Sequence, residues 1–211
     1  MALYLKQLEL GPMENFVYLV GSTESRRCAV VDPAWEIETA LAQAEADGMQ
    51  MVAGLVSHTH PDHVNAAPRV DAPLHVHALE AERLRKMGVD CVAHASGDQI
   101  ELGPDCKITF VHTPGHTPGS QCFLIGDALV SGDTLFIGGC GRCDLAGGDP
   151  EQMYRTLYGT LAAMPDGTRL FPGHNYAERP VSTLGDERKQ NPYLQFHDLA
   201  AFVAYRMRPR R

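Results

Sequence analysis

The stretch SHTHPDH, Ser57 to His63, places His58, His60, Asp62 and His63 within six positions. Imidazole and carboxylate suit zinc, iron or manganese, and a catalytic ion keeps one position open for water. Three more groups of the same kind follow along the chain: His116 in TPGHTPGS, Asp133 in SGDTLF and His174 in PGHNY. Five histidines and two aspartates are more than one ion uses. If three donors take one ion, three take another and a carboxylate bridges, the result is a two-metal centre with ions ~3.5–4 Å apart. A water held between them loses a proton near neutral pH and becomes a nucleophile.

The other histidines, His75, His77, His94, His112 and His197, stand outside these motifs and read as exposed or hydrogen-bonded side chains. The C-x-x-C of Cys140 to Cys143 has no second pair to complete a zinc knuckle, and no thioredoxin-like strand–helix unit begins there. It reads as two thiols in a tight loop, with Cys140 kept as a candidate substrate contact because the loop follows Asp133.

Each candidate ligand lies on a Gly- or Pro-rich loop that ends a strand. YLKQLEL, NFVYLVG and CAVVD read as strands; from Glu36 to Asp47, Ile37, Ala40, Leu41 and Ala44 recur at helical spacing, and Gly48 can end that helix. MVAGLV is a short buried strand that delivers SHTHPDH at its carboxyl end, where open α/β sheets place their sites. LHVH reads as a strand and ALEAERLRKMG as a helix. QIEL, KITFVHT, QCFLIG and ALVSG continue as strands. DPEQMYRTLYGTLAAMP is a helix capped by Asp149, with Met153, Leu157, Leu161 and Met164 on one face. TRLFPGH reads as the last strand and DLAAFVAYRM as a closing helix. Two β-then-α halves imply two packed sheets with helices outside, in one α/β domain over residues 1–211.

Apolar residues make up 44% of the chain and charged residues 21%, an ordinary globular balance that excludes disorder and fibrous repeats. A formal net charge of −8 disfavours nucleic acid and anionic lipid as partners. No basic leader followed by an apolar core opens the chain and no long apolar run occurs, so a cytoplasmic protein is expected. Its six cysteines read mostly as small buried hydrophobes rather than a disulfide framework. The tail with Arg206, Arg208, Arg210 and Arg211 reads as a solvated end.

HTHPDH, TPGHTPG, GDTLF and PGHNY, in that order, resemble the metallo-β-lactamase superfamily, and within it the glyoxalase II-like thioester hydrolases. The resemblance spans essentially the whole chain and implies an αββα sandwich with the site at one edge. It implies that His58, His60 and His116 hold a first metal ion, that Asp62, His63 and His174 hold a second, and that Asp133 bridges. True β-lactamases of the superfamily lack that bridging aspartate, so antibiotic hydrolysis is not expected. The implied reaction is attack of metal-held hydroxide on a thioester carbonyl, with Asp62 orienting the water as well as binding metal. Two divalent ions are expected, zinc first, with iron or manganese as alternatives.

The resemblance also implies that Arg142, in GCGR, and Tyr176 contact a glutathione-like substrate, which gives an acidic protein local positive charge. Two departures accompany it: Asp144 stands where glyoxalase II enzymes often have an aromatic residue, and little chain follows His174 to form their helical C-terminal domain. The rival is a persulfide dioxygenase, a related group that holds a single iron through counterparts of His58, His116 and Asp133. DLAGGDPEQMY resembles the hydrolases more. A non-catalytic metal-binding scaffold ranks third, since all seven ligand positions are filled.

Overall fold

The structure, a computed structural model, describes residues 3–208, so Arg210 and Arg211 of the basic tail lie outside the described residues. Two six-stranded sheets dominate it. In the first, β1 (Leu3–Leu10), β2 (Asn15–Ser22) and β3 (Arg27–Val31) run antiparallel. Helix α1 (Ile37–Ala46) then crosses to β4 (Gln50–Val56), parallel to β3. The short helix α2 (Pro61–Val64) precedes β5 (Leu74–His77), and α3 (Ala78–Lys86) precedes β6 (Cys91–His94), both strands parallel to their neighbours.

The second sheet begins with the antiparallel run β7 (Gln99–Gly103), β8 (Cys106–His112), β9 (Gln121–Ile125) and β10 (Ala128–Gly132). A two-strand ribbon, β11 (Leu135–Phe136) with β12 (Gly139–Cys140), leads to α4 (Pro150–Arg155). Strand β13 (Arg169–Pro172) then adds parallel to β10, and β14 (Ser182–Thr183) pairs with β13. Helices α5 (Leu184–Gln190) and α6 (Leu199–Arg206) complete the described chain. No helix among the described residues is long and apolar enough to cross a membrane.

Strand periodicity explains the layering. Along β2 every residue is buried, yet Val17 and Leu19 pack with Ile37 and Ala40 of α1, whereas Phe16, Tyr18 and Val20 face the other sheet. Phe110, Phe123, Ile125 and Val130 fill the space between sheets. Leu129 and Leu170 point the other way, onto Met153, Leu157 and Phe202 of the second helical layer. The result is the αββα sandwich, helices outside and two mixed sheets within.

Asp149 does cap α4, accepting from the amides of Glu151 and Gln152 at 2.8 and 3.0 Å. The helix expected through Pro165 departs from α geometry, however: it widens into π turns over Thr156–Leu161. The Thr156 hydroxyl at this junction donates to the Pro114 carbonyl at 2.7 Å. Strand β6 lacks a sequence signature because it is a partly exposed edge strand with no alternation. Helix α5, LGDERKQ, is mostly polar and is held by the Thr183 cap rather than by an apolar stripe.

Phe110 is fully buried between the sheets and meets Phe123 edge-on at 5.5 Å. Phe110→Ala is expected to lower unfolding free energy by about 3–5 kcal/mol. Denaturant titration checks this, and a loss below about 1 kcal/mol would contradict the packing described.

Candidate metal centre

Four loops meet at one edge of the sandwich. The loop after β4 brings His58, His60, Asp62 and His63; those after β8, β10 and β13 bring His116, Asp133 and His174. Their close approach needs small residues: a Cβ at Gly173 would overlap the Asp133 carboxylate, and one at Gly141 would overlap the Asp133 carbonyl.

The outer nitrogens of four histidines are already engaged. Nδ1 of His116 lies 2.7 Å from the Arg142 carbonyl and Nδ1 of His174 lies 2.9 Å from the Met13 carbonyl; a carbonyl only accepts, so both nitrogens carry the proton. Nδ1 of His63 donates to Asp32 Oδ2 at 2.9 Å. The Ser57 hydroxyl gives its hydrogen to Asp32 at 2.6 Å, so Nδ1 of His58, 3.0 Å from that oxygen, donates to it. In the neutral rings each Nε2 is thereby left with a lone pair, and the four Nε2 atoms point together.

They gather in two sets. Nδ1 of His60 lies 3.1 Å from Nε2 of His58 and 2.9 Å from Nε2 of His116. Nε2 of His63 and of His174 are 3.2 Å apart, and Asp62 Oδ2 lies 3.4 and 3.5 Å from them. Asp133 stands between the sets. Its Oδ1 faces His63 and His174 at 3.3 and 3.4 Å, and its Oδ2 faces His116 at 3.4 Å.

This donor set fits cations. Asp133 Oδ1 is buried with no hydrogen-bond partner, and converging lone pairs repel unless positive charge sits among them. Burial, aided by His63 and His116, holds His58 well below the ordinary imidazole value. Burial also lowers His116 and pushes His60 down to about 4, which keeps these rings neutral and able to ligate. At His63 burial opposes charge too, but Asp133 and Asp32 outweigh it and raise its value. Asp133 is held well below the carboxylate range by His63 and His174 despite its burial. Asp32, His58 and His63 form a third close group. Asp32 already accepts from the Ser57 amide and hydroxyl, each at 2.6 Å, and from His63, so it holds His63 directly and His58 through Ser57.

Over residues 10–174 the sequence matches the family model described as metallo-beta-lactamase superfamily. The chain belongs to that superfamily. Three kinds of relative frame its chemistry. The probable polyketide biosynthesis zinc-dependent hydrolase BaeB of Bacillus velezensis is 30% identical, covering 92% of this chain and 88% of its own. Hydroxyacylglutathione hydrolase of Nitrosococcus oceani is 32% identical, covering 84% and 68%. The mitochondrial persulfide dioxygenase ETHE1 of Homo sapiens is 31% identical, covering 85% and 71%. The crystal structure of ETHE1 from Myxococcus xanthus superposes with a TM-score of 0.88 at 27% identity, covering 98% of this chain and 92% of that one. The superfamily is one of metal-binding and usually hydrolytic enzymes, and a probable zinc-dependent hydrolase and a persulfide dioxygenase stand at similar distance.

The expected substrate contacts are placed differently from the ligands. Arg142 does not present an open cation: its guanidinium is bound in parallel to Asp144 at 3.0 and 2.7 Å. Asp144 is thus the physical reason the expected local positive charge is cancelled. Cys140 is 4% exposed and packs with Leu135, Cys143 and Leu157, so it lies in the core of the helical layer instead of facing substrate. Tyr176 is 55% exposed, stacks on His174 at 4.7 Å and lies against Phe136, forming an aromatic rim.

His75 is 2.8 Å from His94, His77 stacks on His112, and His112 donates to the Pro118 carbonyl, all outside the site; His197 is exposed. The sequence reading missed the groups that hold the ligands. Besides Asp32, buried Glu80 accepts from the hydroxyls of Thr59 and Thr117, tying the loop of His58 and His60 to that of His116. The one available signal was the acid of CAVVD, an aspartate ending a buried strand. Asp32→Ala is expected to weaken metal binding by roughly 10–100-fold, read by chelator competition; unchanged affinity would show that His63 needs no outer partner.

Proposed function

We propose that the protein is a thioester hydrolase of the glyoxalase II type working with two divalent ions. The observation that carries this reading is Asp133, whose two oxygens face two separate donor sets. In this reading His58, His60 and His116 hold one ion, Asp62, His63 and His174 the other, and Asp133 joins them. Zinc is the first expectation, as in the BaeB relative, with iron or manganese as alternatives. Bound ions would acidify a water and polarise the thioester carbonyl.

The protein's own groups supply the rest. Asp62, with Oδ2 turned toward the donor set, orients the attacking water and takes its proton. Tyr176 and Phe136 give the substrate an aromatic surface beside His174. Because Arg142 is neutralised by Asp144, a carrier thiol of low charge suits this rim better than the anionic glutathione tripeptide. We assign the protein to the cytoplasm, where its six cysteines stay reduced.

The rival, persulfide dioxygenation at a single iron, needs only His58, His116 and Asp133. Supporting hydrolysis instead, the inward lone pairs of His63 and His174 and the carboxylate of Asp62 form a complete second set.

Metal-loaded protein should be offered a glutathione thioester, an uncharged thioester and glutathione persulfide, with thiol release and oxygen uptake recorded together. Thiol release without oxygen uptake is expected, and Asp133→Asn should cut kcat/KM by about 100-fold or more. Oxygen uptake from the persulfide with no thioester cleavage would overturn the proposal. Asp144→Asn frees Arg142 and should raise kcat/KM for the glutathione thioester alone by about two- to five-fold, the scale of one exposed ion pair.

A further inference from the structure

The tip of the β1–β2 hairpin reaches the metal centre from a part of the chain where the sequence shows no ligand. It does so through Asn15, which is 1% exposed although its side chain is a polar amide. Nδ2 of Asn15 donates both to the backbone carbonyl of Asp62, at 3.0 Å, and to its Oδ2, at 3.1 Å. Oδ1 of Asn15 accepts from the indole N–H of Trp35 at 2.7 Å.

The direction of the amide follows from these partners. An indole nitrogen can only donate, so it selects the oxygen end of Asn15 and turns the NH2 end toward Asp62. The reverse orientation would set N–H against N–H at Trp35 and oxygen against carboxylate at Asp62.

Trp35 is itself fixed. Its backbone is in the left-handed region, φ +55°, and its amide donates to Asn65 Oδ1 at 2.7 Å, just beyond α2. Its ring lies so close to Gly11 that a Cβ there would overlap it. A closed circuit results: α2 carries Asp62, Asn65 holds the Trp35 backbone, and the Trp35 ring holds the amide that holds Asp62. The same hairpin supplies the Met13 carbonyl that accepts from His174. Two of the three donors in the second set are therefore oriented by one turn. The first set depends on other groups, the Ser57 hydroxyl, the Arg142 carbonyl and the Glu80 clasp.

The geometry points to Asn15, set by Trp35, as a positioning pair that aims the Asp62 carboxylate and so tunes affinity for the second of two cations. This rests on the two-ion reading above. Asp62 touches the reacting water in that reading, whereas Asn15 acts only through Asp62. A merely structural asparagine would affect both ion sites or neither, and this difference is measurable without substrate.

Metal-free wild type, Asn15→Ala and Trp35→Phe are titrated with zinc against a chromophoric chelator, with unfolding temperature recorded for each. Trp35→Phe keeps an aromatic ring beside Gly11 and removes the N–H with part of the bicycle, so, with its unfolding temperature recorded, it tests the idea even where Asn15→Ala folds poorly. Wild type is expected to bind in two steps. Asn15→Ala should weaken one step by roughly 10–100-fold and leave the other unchanged, and Trp35→Phe should weaken the same step by less. Two wild-type steps with variants that match wild type, or that lose both steps equally, would overturn this inference and leave the two-ion reading standing. A single wild-type equivalent would overturn both.

Discussion

The centre depends on an electrostatic conflict that the polypeptide alone does not resolve. Four Nε2 lone pairs, one Nδ1 and the carboxylates of Asp62 and Asp133 converge on a small, largely buried volume. Acceptors so close together, out of water, repel each other and lose hydration that only strong partners replace. Hydrogen bonds on the far side of each ring keep the arrangement from relaxing. The carbonyls of Met13 and Arg142, the Ser57 hydroxyl and Asp32 fix the Nδ1–H tautomers, so the inward atoms of the neutral rings have no proton to share. Such a constellation is built for positive charge.

The sandwich exists to hold these far-side groups still. Phe110, Phe123 and their neighbours lock one sheet to the other, which brings the ends of β4, β8, β10 and β13 to a common edge. Loops there would ordinarily move, but Glu80 joins two of them and Asp32 fastens one of these, the loop after β4, to the end of β3. The C-terminal segment works on the remaining side. Glu187 accepts from the Gly138 amide and Asn191 donates to the carbonyls of Phe136 and Gly139, fixing the β11–β12 ribbon. Arg206 donates to the Gly141 carbonyl at 2.8 Å, beside the Arg142 carbonyl that aims His116. Arg206 of the basic tail is thus a buried brace, in contrast to the solvated end its composition suggests.

Specificity is decided on a different scale. The family match places the chain in a superfamily whose zinc-dependent hydrolase and persulfide dioxygenase members are similarly distant. At the rim, Asp144 occupies the guanidinium of Arg142 and Tyr176 stacks on the His174 ring. One carboxylate two residues away is enough to pair the cation that Arg142 would otherwise present there.

Strand alternation, the glycines after α1 and α3 and the crowded HTHPDH stretch made the layered α/β fold and the inward donors legible, because those signals are local: side-chain direction repeats along a strand and ligands cluster within one loop. The ribbon β11–β12, the edge strand β6 and the polar helix α5 were illegible, since distant neighbours rather than their own periodicity hold them. The same holds at the centre. By itself the sequence determined which side chains are chemically able to ligate. Only tertiary structure decided which nitrogen of each histidine faces inward, that Asn15 and Asp32 hydrogen-bond Asp62 and His63, 47 and 31 positions away, that Cys140 is buried and that Arg142 is paired with Asp144. The physical reason is that a hydrogen bond to a carbonyl, or a contact across the sandwich, is made by whatever the fold brings near, and a backbone carbonyl is the same in every residue type.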